Sequence, residues 1–481
     1  MSQPIMTPDR NIVEAGAGNS RRDFLKVSAS VATAAAVAAA FPAGVHASND
    51  ETIKIALIGC GGRGTGACNQ ALNTYPQGPV KLIAMADAFE DRLQGALRSL
   101  KIEHPDAIDV PGDRQFVGFD AYKKAIDAGP DLVVIATPPG FRPIHFEYAV
   151  KQGKNIFAEK PIATDAPGVR RFLAAAEEAK KKNLKVGIGL QRHHQPLYLQ
   201  TIEQIQNGVL GDLILLRAYW NDAGVWVKPR SALKANKPDL TEMEYQMRNW
   251  YYFTWLCGDH IVEQHIHNLD VANWVMQGHP VSAQGQGGRQ VLTGLDNGEI
   301  FDHHFVEFTY ADGTKLLSQC RHQPNTWKSV SEHAHGSNGY ADISRGLITF
   351  KHGKTWKYQG PTRGGGGGGG KKGKGKNAAP PADGKPPRNE QDPYQIEHDD
   401  LFHAVRNNIP YSEAEYGAHS TMTAILGRMC TYSGQEIKWD DAINSELSIM
   451  PKEYAWDANP PHMPDKDGRY PVAIPGVTKV L

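Results

Sequence analysis

Between residues 52 and 191, short apolar runs alternate with longer segments whose apolar residues recur every three to four positions. The runs are TIKIALI from Thr52, VKLIAMAD ending at Asp87, DLVVIAT (131–137), NIFAEKP (155–161) and KVGIGLQ (185–191). They lack a polar face, as strands buried on both sides of a parallel sheet do. The segments after GCGGRG, FRPIHFEYAVKQG with Gly153 closing it, and APGVRRFLAAAEEAKKK carry helical periodicity. Alternation of this kind predicts an α/β fold with a doubly wound parallel sheet over residues 50–190. Ligands bind such sheets beyond the carboxyl ends of the strands, where Thr137, Pro138, Glu159, Lys160 and Gln191 fall. A second domain is expected over 191–481. There FVEFTYADGTKLLSQCR alternates with a period of two around Asp312-Gly313 and predicts a hairpin. EHDDLFHAVRNNIPY and STMTAILGRMCTYSG are amphipathic and read as structural helices.

The N-terminus interrupts this picture. SRRDFLK (20–26) precedes an alanine-rich apolar run over 27–41, too short for a confident membrane span. Val45-His46-Ala47 supplies the small residues of a cleavage site. Residues 1–47 therefore read as a twin-arginine export signal, and the mature chain is expected in the periplasm without a membrane anchor. Lys+Arg and Asp+Glu are both 52, so no global field favours nucleic acid. The five cysteines form no CxxC pair, which argues against a zinc ribbon or a disulfide scaffold, and no metal site is expected. The Gly/Lys/Pro-rich stretch over 363–393 cannot bury a core. It reads as a surface loop inserted within the second domain, or as a basic anchor for a polyanion.

Gly59, Gly61 and Gly64, with Cys60, Gly62 and Arg63 between them, fit G-x-G-x-x-G between a strand and a helix. The first glycine allows the tight turn, the second admits a pyrophosphate and the third lets helix pack on strand. Phosphate then meets the free N–H groups of the helix N-terminus. Asp87 ends the second strand, as an acid that accepts from a ribose 2′-OH does, so NAD is favoured. Arg63 and Arg92 leave NADP possible. Glu159 and Lys160 end a buried strand, which is costly unless they are paired or bound to ligand. Lys160 can donate to a substrate hydroxyl or relay its proton; the alternative is a salt bridge that caps the strand.

GCGGRG (59–64), AEKP (158–161) and the TPP turn (137–139) make the chain resemble the Gfo/Idh/MocA oxidoreductases, over 53 to about 439. The resemblance implies a C-terminal α/β domain on a large, mostly antiparallel open sheet, which often carries an oligomer contact. A homo-oligomer (dimer or tetramer) is expected on that basis. It also implies sugars, cyclitols or related polyols as substrates, and a catalytic or substrate-orienting Lys160. The family's D-x-G-x-H-x-x-D is matched by EQHIHNLD (263–270). This puts His267 on the catalytic histidine and Asp270 on the last aspartate, while Glu263 and His265 depart from the pattern.

Read from spacing alone, His260, Glu263, His267 and Asp270 share one face of a helix. His267 serves catalysis or substrate binding, is a satisfied core histidine, or ligates a metal, although HExxH is absent. Arg192, His193 and His194 in GLQRHHQP either contact a polyol or phosphate or form an interdomain salt bridge. The aromatic run RNWYYFTW (248–255) either stacks on a sugar or fills an interdomain core. The chain is expected to be an NAD(P)-dependent oxidoreductase acting on CH–OH groups, with the cofactor tightly held. Lys160 or His267 takes the hydroxyl proton and Glu263 orients or tunes one of them. An NAD-dependent glycosidase or lyase and a non-catalytic sugar sensor are the rival readings.

Overall fold

A computed structural model describes residues 51–360 and 392–481. Residues 1–47, read above as an export signal, and nearly all of the Gly/Lys/Pro-rich stretch lie outside the described residues. From Ile53 the chain forms β1 (Ile53–Ile58), α1 (Gly62–Leu72), β2 (Val80–Asp87), α2 (Glu90–Glu103), β3 (Gln115–Val117) and α3 (Ala121–Asp127). It continues through β4 (Leu132–Ile135), α4 (Arg142–Lys151), β5 (Asn155–Ala158), α5 (Ala166–Lys181) and β6 (Val186–Ile188). The six strands are parallel in the order β3-β2-β1-β4-β5-β6. Ile55 and Leu57 face one side of this sheet and Ala56 and Ile58 the other, and all are buried. Double burial is why β1 reads as an unbroken apolar run.

The chain then forms α6 (Pro196–Gln206), β7 (Leu213–Asp222) and three short helices: α7 (Arg230–Asn236), α8 (Glu242–Arg248) and α9 (Thr254–Cys257). Next come α10 (His260–Glu263), α11 (Ile266–Met276), β8 (Ser282–Gly288), β9 (His303–Thr309) and β10 (Lys315–His322). The series ends with β11 (Ser329–Gly336), β12 (Gly339–Asp342), β13 (Leu347–Phe350), β14 (Thr355–Lys357), α12 (Pro393–Arg406), α13 (Ala414–Ser433), β15 (Ile437–Lys438) and α14 (Trp439–Ile443). A nine-stranded sheet runs β14-β13-β12-β11-β7-β10-β9-β8-β15, parallel only at β7–β10. The expected hairpin is β9–β10, with Phe308 opposite Leu316 and the turn closed by Tyr310 N–H on Thr314 O. Val306, Phe308, Leu316 and Cys320 are buried on one face, in a core shared with α13. On the other face Phe305 is 38% exposed.

α12 follows β14 of the second sheet in sequence but packs on the first: Leu401, Phe402 and Val405 share a core with Leu57, Val134 and Phe157. Among the described residues, no helix is long and apolar enough to cross a membrane. The single polar helix face over 260–270 is corrected. α10 stops at Glu263, Gln264 and His265 form a turn, and α11 restarts the spiral. The break rotates His260 away from the face that carries His267.

Candidate active site

The loop from β1 to α1 is shaped for a phosphate. Gly59 has φ 93°, and a Cβ there would lie 2.6 Å from Ala136 C and Thr137 N. A Cβ on Gly64 would lie 1.8 Å from Gly59 O, so the third glycine lets α1 close onto the turn. Around Gly61 and Gly62 nothing lies within 4 Å of such an atom, and no side chain caps the start of α1. These open positions and an uncapped helix start fit a dinucleotide pyrophosphate. Asp87 accepts from Cys60 N–H at 2.6 Å and from Phe89 N–H at 2.9 Å, which fixes its carboxylate beside the loop. Burial pushes that carboxyl upward while both N–H donors pull it down. Thr137 Oγ1 lies 3.1 Å from His145 Nδ1, at the end of β4 beside Pro138.

Arg63 turns back from α1 to pair with Glu159, places its guanidinium 3.5 Å from Glu397 and lies over the Tyr394 ring at 4.8 Å. Gln191 donates to Tyr394 Oη at 3.2 Å. Tyr394 and Glu397 come from α12, which the sequence presents as a structural helix. Glu397 is buried without a hydrogen bond, and burial raises its carboxyl well above the usual range. The signal that reveals these two residues is the packing of α12 on the first sheet, which no local pattern announces.

Lys160 stands just past the end of β5. Its Nζ donates to Glu263 O at 2.6 Å and to Glu263 Oε1 at 3.2 Å, with both side chains only 13% exposed. His267 is buried near them, and its ring lies 6.0 Å from that of Trp220 at 23°. Burial first, then the charges of Lys160, Arg192 and Arg63, hold its imidazole well below the ordinary histidine value. The ring is therefore neutral at physiological pH, and its Nδ1 has no hydrogen-bond partner. Two further residues join this centre. The Tyr251 hydroxyl is buried and unpartnered, and its acidity is suppressed by burial and by the Glu263 carboxylate. Arg142 donates to Pro161 O at 2.5 Å and is pulled by burial to about 10.

The remaining substrate candidates have protein partners. Arg192 pairs with Glu332, which also accepts from Tyr198 Oη at 3.0 Å and from Asn268. Asp270 accepts from His193 Nε2 at 2.8 Å and from Ser420 Oγ at 2.8 Å. His193 is sandwiched between Trp274 and Tyr416, at 4.2 and 4.3 Å. Arg192, His193 and Asp270 are thus each held by a protein partner. His260 lies in a separate cluster with Asp259, His304 and His322. Tyr251, Tyr252, Phe253 and Trp255 of the aromatic run are buried in one core with Phe141, so the run is a core element.

Two tests of this bracing follow. Arg192→Met leaves Glu332 buried without its cation and is expected to lower stability by about 3–5 kcal/mol in urea unfolding; a loss below 1 kcal/mol, about the value of a surface pair, would remove Arg192 from the brace. The second concerns His194, which bridges Asp400 and Glu413 at 2.7 and 2.9 Å. Burial pulls its imidazole down, but these hydrogen bonds outweigh burial and hold it up, at about 10. A raised folded value gives stability that is complete below the ordinary 6.5 and declines as pH rises through about 10. Thermal midpoints measured across that window should fall, and His194→Gln should flatten the fall.

Fold and cradle together define a dinucleotide-binding domain. Residues 53–188 match the Gfo/Idh/MocA family model, described as "Oxidoreductase family, NAD-binding Rossmann fold". This first domain is therefore an NAD-binding Rossmann domain. Among curated proteins, scyllo-inositol 2-dehydrogenase (NAD(+)) of Bacillus subtilis (strain 168) is 23% identical over 269 residues, 56% of this chain. The match spans 64% of that relative's own length, less than two thirds of it. Inositol 2-dehydrogenase of Rhizobium meliloti (strain 1021) is 24% identical, over 60% of this chain and 74% of its own. In fold the chain is similar to levoglucosan dehydrogenase in complex with NADH and levoglucosan (TM-score 0.59, 15% identity, 81% of this chain and 99% of that one). It is likewise similar to aldose-aldose oxidoreductase from Caulobacter crescentus complexed with glycerol (TM-score 0.58, 15% identity, 81% and 100%).

Proposed function

We propose that the protein is an NAD-dependent oxidoreductase that acts on a CH–OH group of a sugar, cyclitol or related polyol. The observation that carries this reading is Lys160, held by Glu263 at the strand end beside the open glycine cradle. An ammonium has three donors, and Glu263 takes two. The third is left for a substrate hydroxyl. The Gly61–Gly62 turn and Asp87 would hold the dinucleotide, which when bound supplies a hydride acceptor. Lys160 orients the substrate oxygen. His267, kept neutral, has a lone pair that accepts the hydroxyl proton. Tyr251 offers a further hydroxyl beside Glu263. His267→Ala should lower turnover at least about a hundredfold while dinucleotide binding is unchanged; turnover near wild type would remove His267 from the mechanism.

Export by the twin-arginine route belongs to the same proposal. That route generally carries folded proteins, so the dinucleotide would be loaded first and then retained. The half-exposed face of the nine-stranded sheet, with Phe305, is the surface proposed for a homo-oligomer. The test is to purify the exported protein without added cofactor, denature it and identify the released dinucleotide by mass and absorbance. Stoichiometric NAD supports the reading. An empty site that also fails to bind added NAD or NADP sinks it.

A further inference from the structure

Behind α10, away from Lys160, two imidazoles and a carboxylate converge in the interior. Asp259 has φ 76° and ψ 162°, a backbone conformation that L residues rarely adopt, and it is fully buried. Local strain of this kind persists where the surroundings over-determine it. Here the carboxylate is fixed on both sides. Oδ1 accepts from His260 N–H at 2.5 Å, and Oδ2 accepts from Tyr432 Oη at 2.5 Å and from Phe301 N–H at 2.9 Å. His304 Nε2 lies 3.3 Å from Asp259 Oδ1 and His260 Nε2 lies 3.8 Å from it. One ligand atom of each residue lies within 4.8 Å of the other two. Neither Nε2 has a hydrogen-bond partner, and both residues are buried.

The orientation of His304 is set by its other neighbour, Thr431. The Thr431 hydroxyl donates to Gly427 O or Arg428 O, at 3.1 and 3.0 Å. The same hydroxyl lies 2.9 Å from His304 Nδ1 and fixes the orientation of the ring. The ring thus presents its Nε2 to Asp259 Oδ1. A carboxylate oxygen buried between two imidazole nitrogens needs a positive charge beside it, which a bound cation supplies. A tetrahedral cation with bonds of about 2.0–2.1 Å sets its ligand atoms about 3.3 Å apart. The 3.3 and 3.8 Å separations approach that edge. The supporting shell is also in place: Thr431 orients His304, and Tyr432 and Phe301 N–H orient the carboxylate.

We propose that Asp259, His260 and His304 bind one divalent transition-metal cation of the Zn2+ class. Imidazole and carboxylate donors without a thiolate suit that class rather than Cu(I). The ion ties β9, through His304, to α10, whose Glu263 holds Lys160. It is a positioning element for the wall of the site and takes no part in proton or hydride transfer. The proposal does not rest on the oxidoreductase reading, because its readouts are metal content and spectra.

The test uses the full chain, stripped with a chelator, incubated with Zn2+ and then desalted, with metal measured by elemental mass spectrometry. About one equivalent per chain is expected, together with a rise in thermal midpoint on Zn2+ addition. Titration with Co2+ should give the intense visible bands of a tetrahedral nitrogen–oxygen site. His260→Gln and His304→Gln should abolish those bands. Thr431→Val, which keeps all three ligands, should weaken Co2+ binding about tenfold or more through loss of the supporting hydrogen bond. If the histidine variants fail to fold, the wild-type spectrum and Thr431→Val decide. A folded wild-type chain with no bound metal and no cobalt bands overturns the proposal and leaves a buried imidazolium–carboxylate pair. Equal cobalt uptake by the histidine variants overturns it too.

Discussion

Lys160→Met should lower turnover about a thousandfold while the protein still binds NAD. Methionine keeps the length and the apolar stem but removes the ammonium. Glu263 O and Oε1 lose their donor, and the substrate hydroxyl loses its orienting charge. A buried acceptor left unpaired costs about 1–3 kcal/mol, so a modest fall in thermal midpoint should accompany the loss of activity. Lys160→Arg should not restore turnover. A planar guanidinium cannot direct one donor at a backbone carbonyl, one at a carboxylate and a third at the substrate in the manner of a tetrahedral ammonium. NADH formation measured by absorbance, beside NAD affinity measured calorimetrically, separates the two effects. Turnover of Lys160→Met within tenfold of wild type would eliminate Lys160 as the orienting group.

Gly64→Ala carries the second large effect. The added Cβ would meet Gly59 O at 1.8 Å and Gly59 C at 3.0 Å, and both are backbone atoms of a turn that itself has no space to retreat. α1 must then move off the loop. A loss of dinucleotide affinity of more than about a hundredfold is expected, equal to about 2.7 kcal/mol, with a stability loss of about 1–3 kcal/mol. Gly61→Ala is the discriminating companion. Nothing lies within 4 Å of its Cβ in the protein alone. Unfolding should be unchanged, while NAD affinity falls because the methyl group enters the space kept for phosphate. A Gly61→Ala protein that binds NAD as wild type does would place the phosphate elsewhere.

What could be read from the sequence followed the physics of burial. β1, β2, β4, β5 and β6 were legible because strands covered on both faces are apolar throughout, and the β9–β10 hairpin because its period of two meets a turn at Asp312-Gly313. α2, β3 and α3 escaped notice; β3 is three residues long with no buried position. That Glu159 and Lys160 need partners was legible from their cost at the end of a buried strand; the partners found, Arg63 and Glu263, come from other elements. The break after Glu263 was not, because Gln264 and His265 carry no Gly or Pro that would mark it. Nor were the partners of Arg192, Asp270 and Arg63. Glu332, Ser420 and Glu397 lie far away in sequence, and each becomes a partner only when sheets and helices stack. Glu332 did leave a trace: it shares the inward face of β11 with Ala334, where an acid demands a buried cation.

The placement of α12 bears on how the chain acquires its shape during synthesis. The apolar face formed by Leu57, Val134 and Phe157 is covered by Leu401, Phe402 and Val405. A ribosome that has made only the first six strands therefore presents an unfinished surface, and the nascent first domain must wait for more than two hundred further residues before its core can close. Tyr394 and Glu397 arrive on the same helix, so the surroundings of Arg63 are also completed last. A chain interrupted before α12 thus holds the whole glycine motif yet lacks two of the groups that surround Arg63.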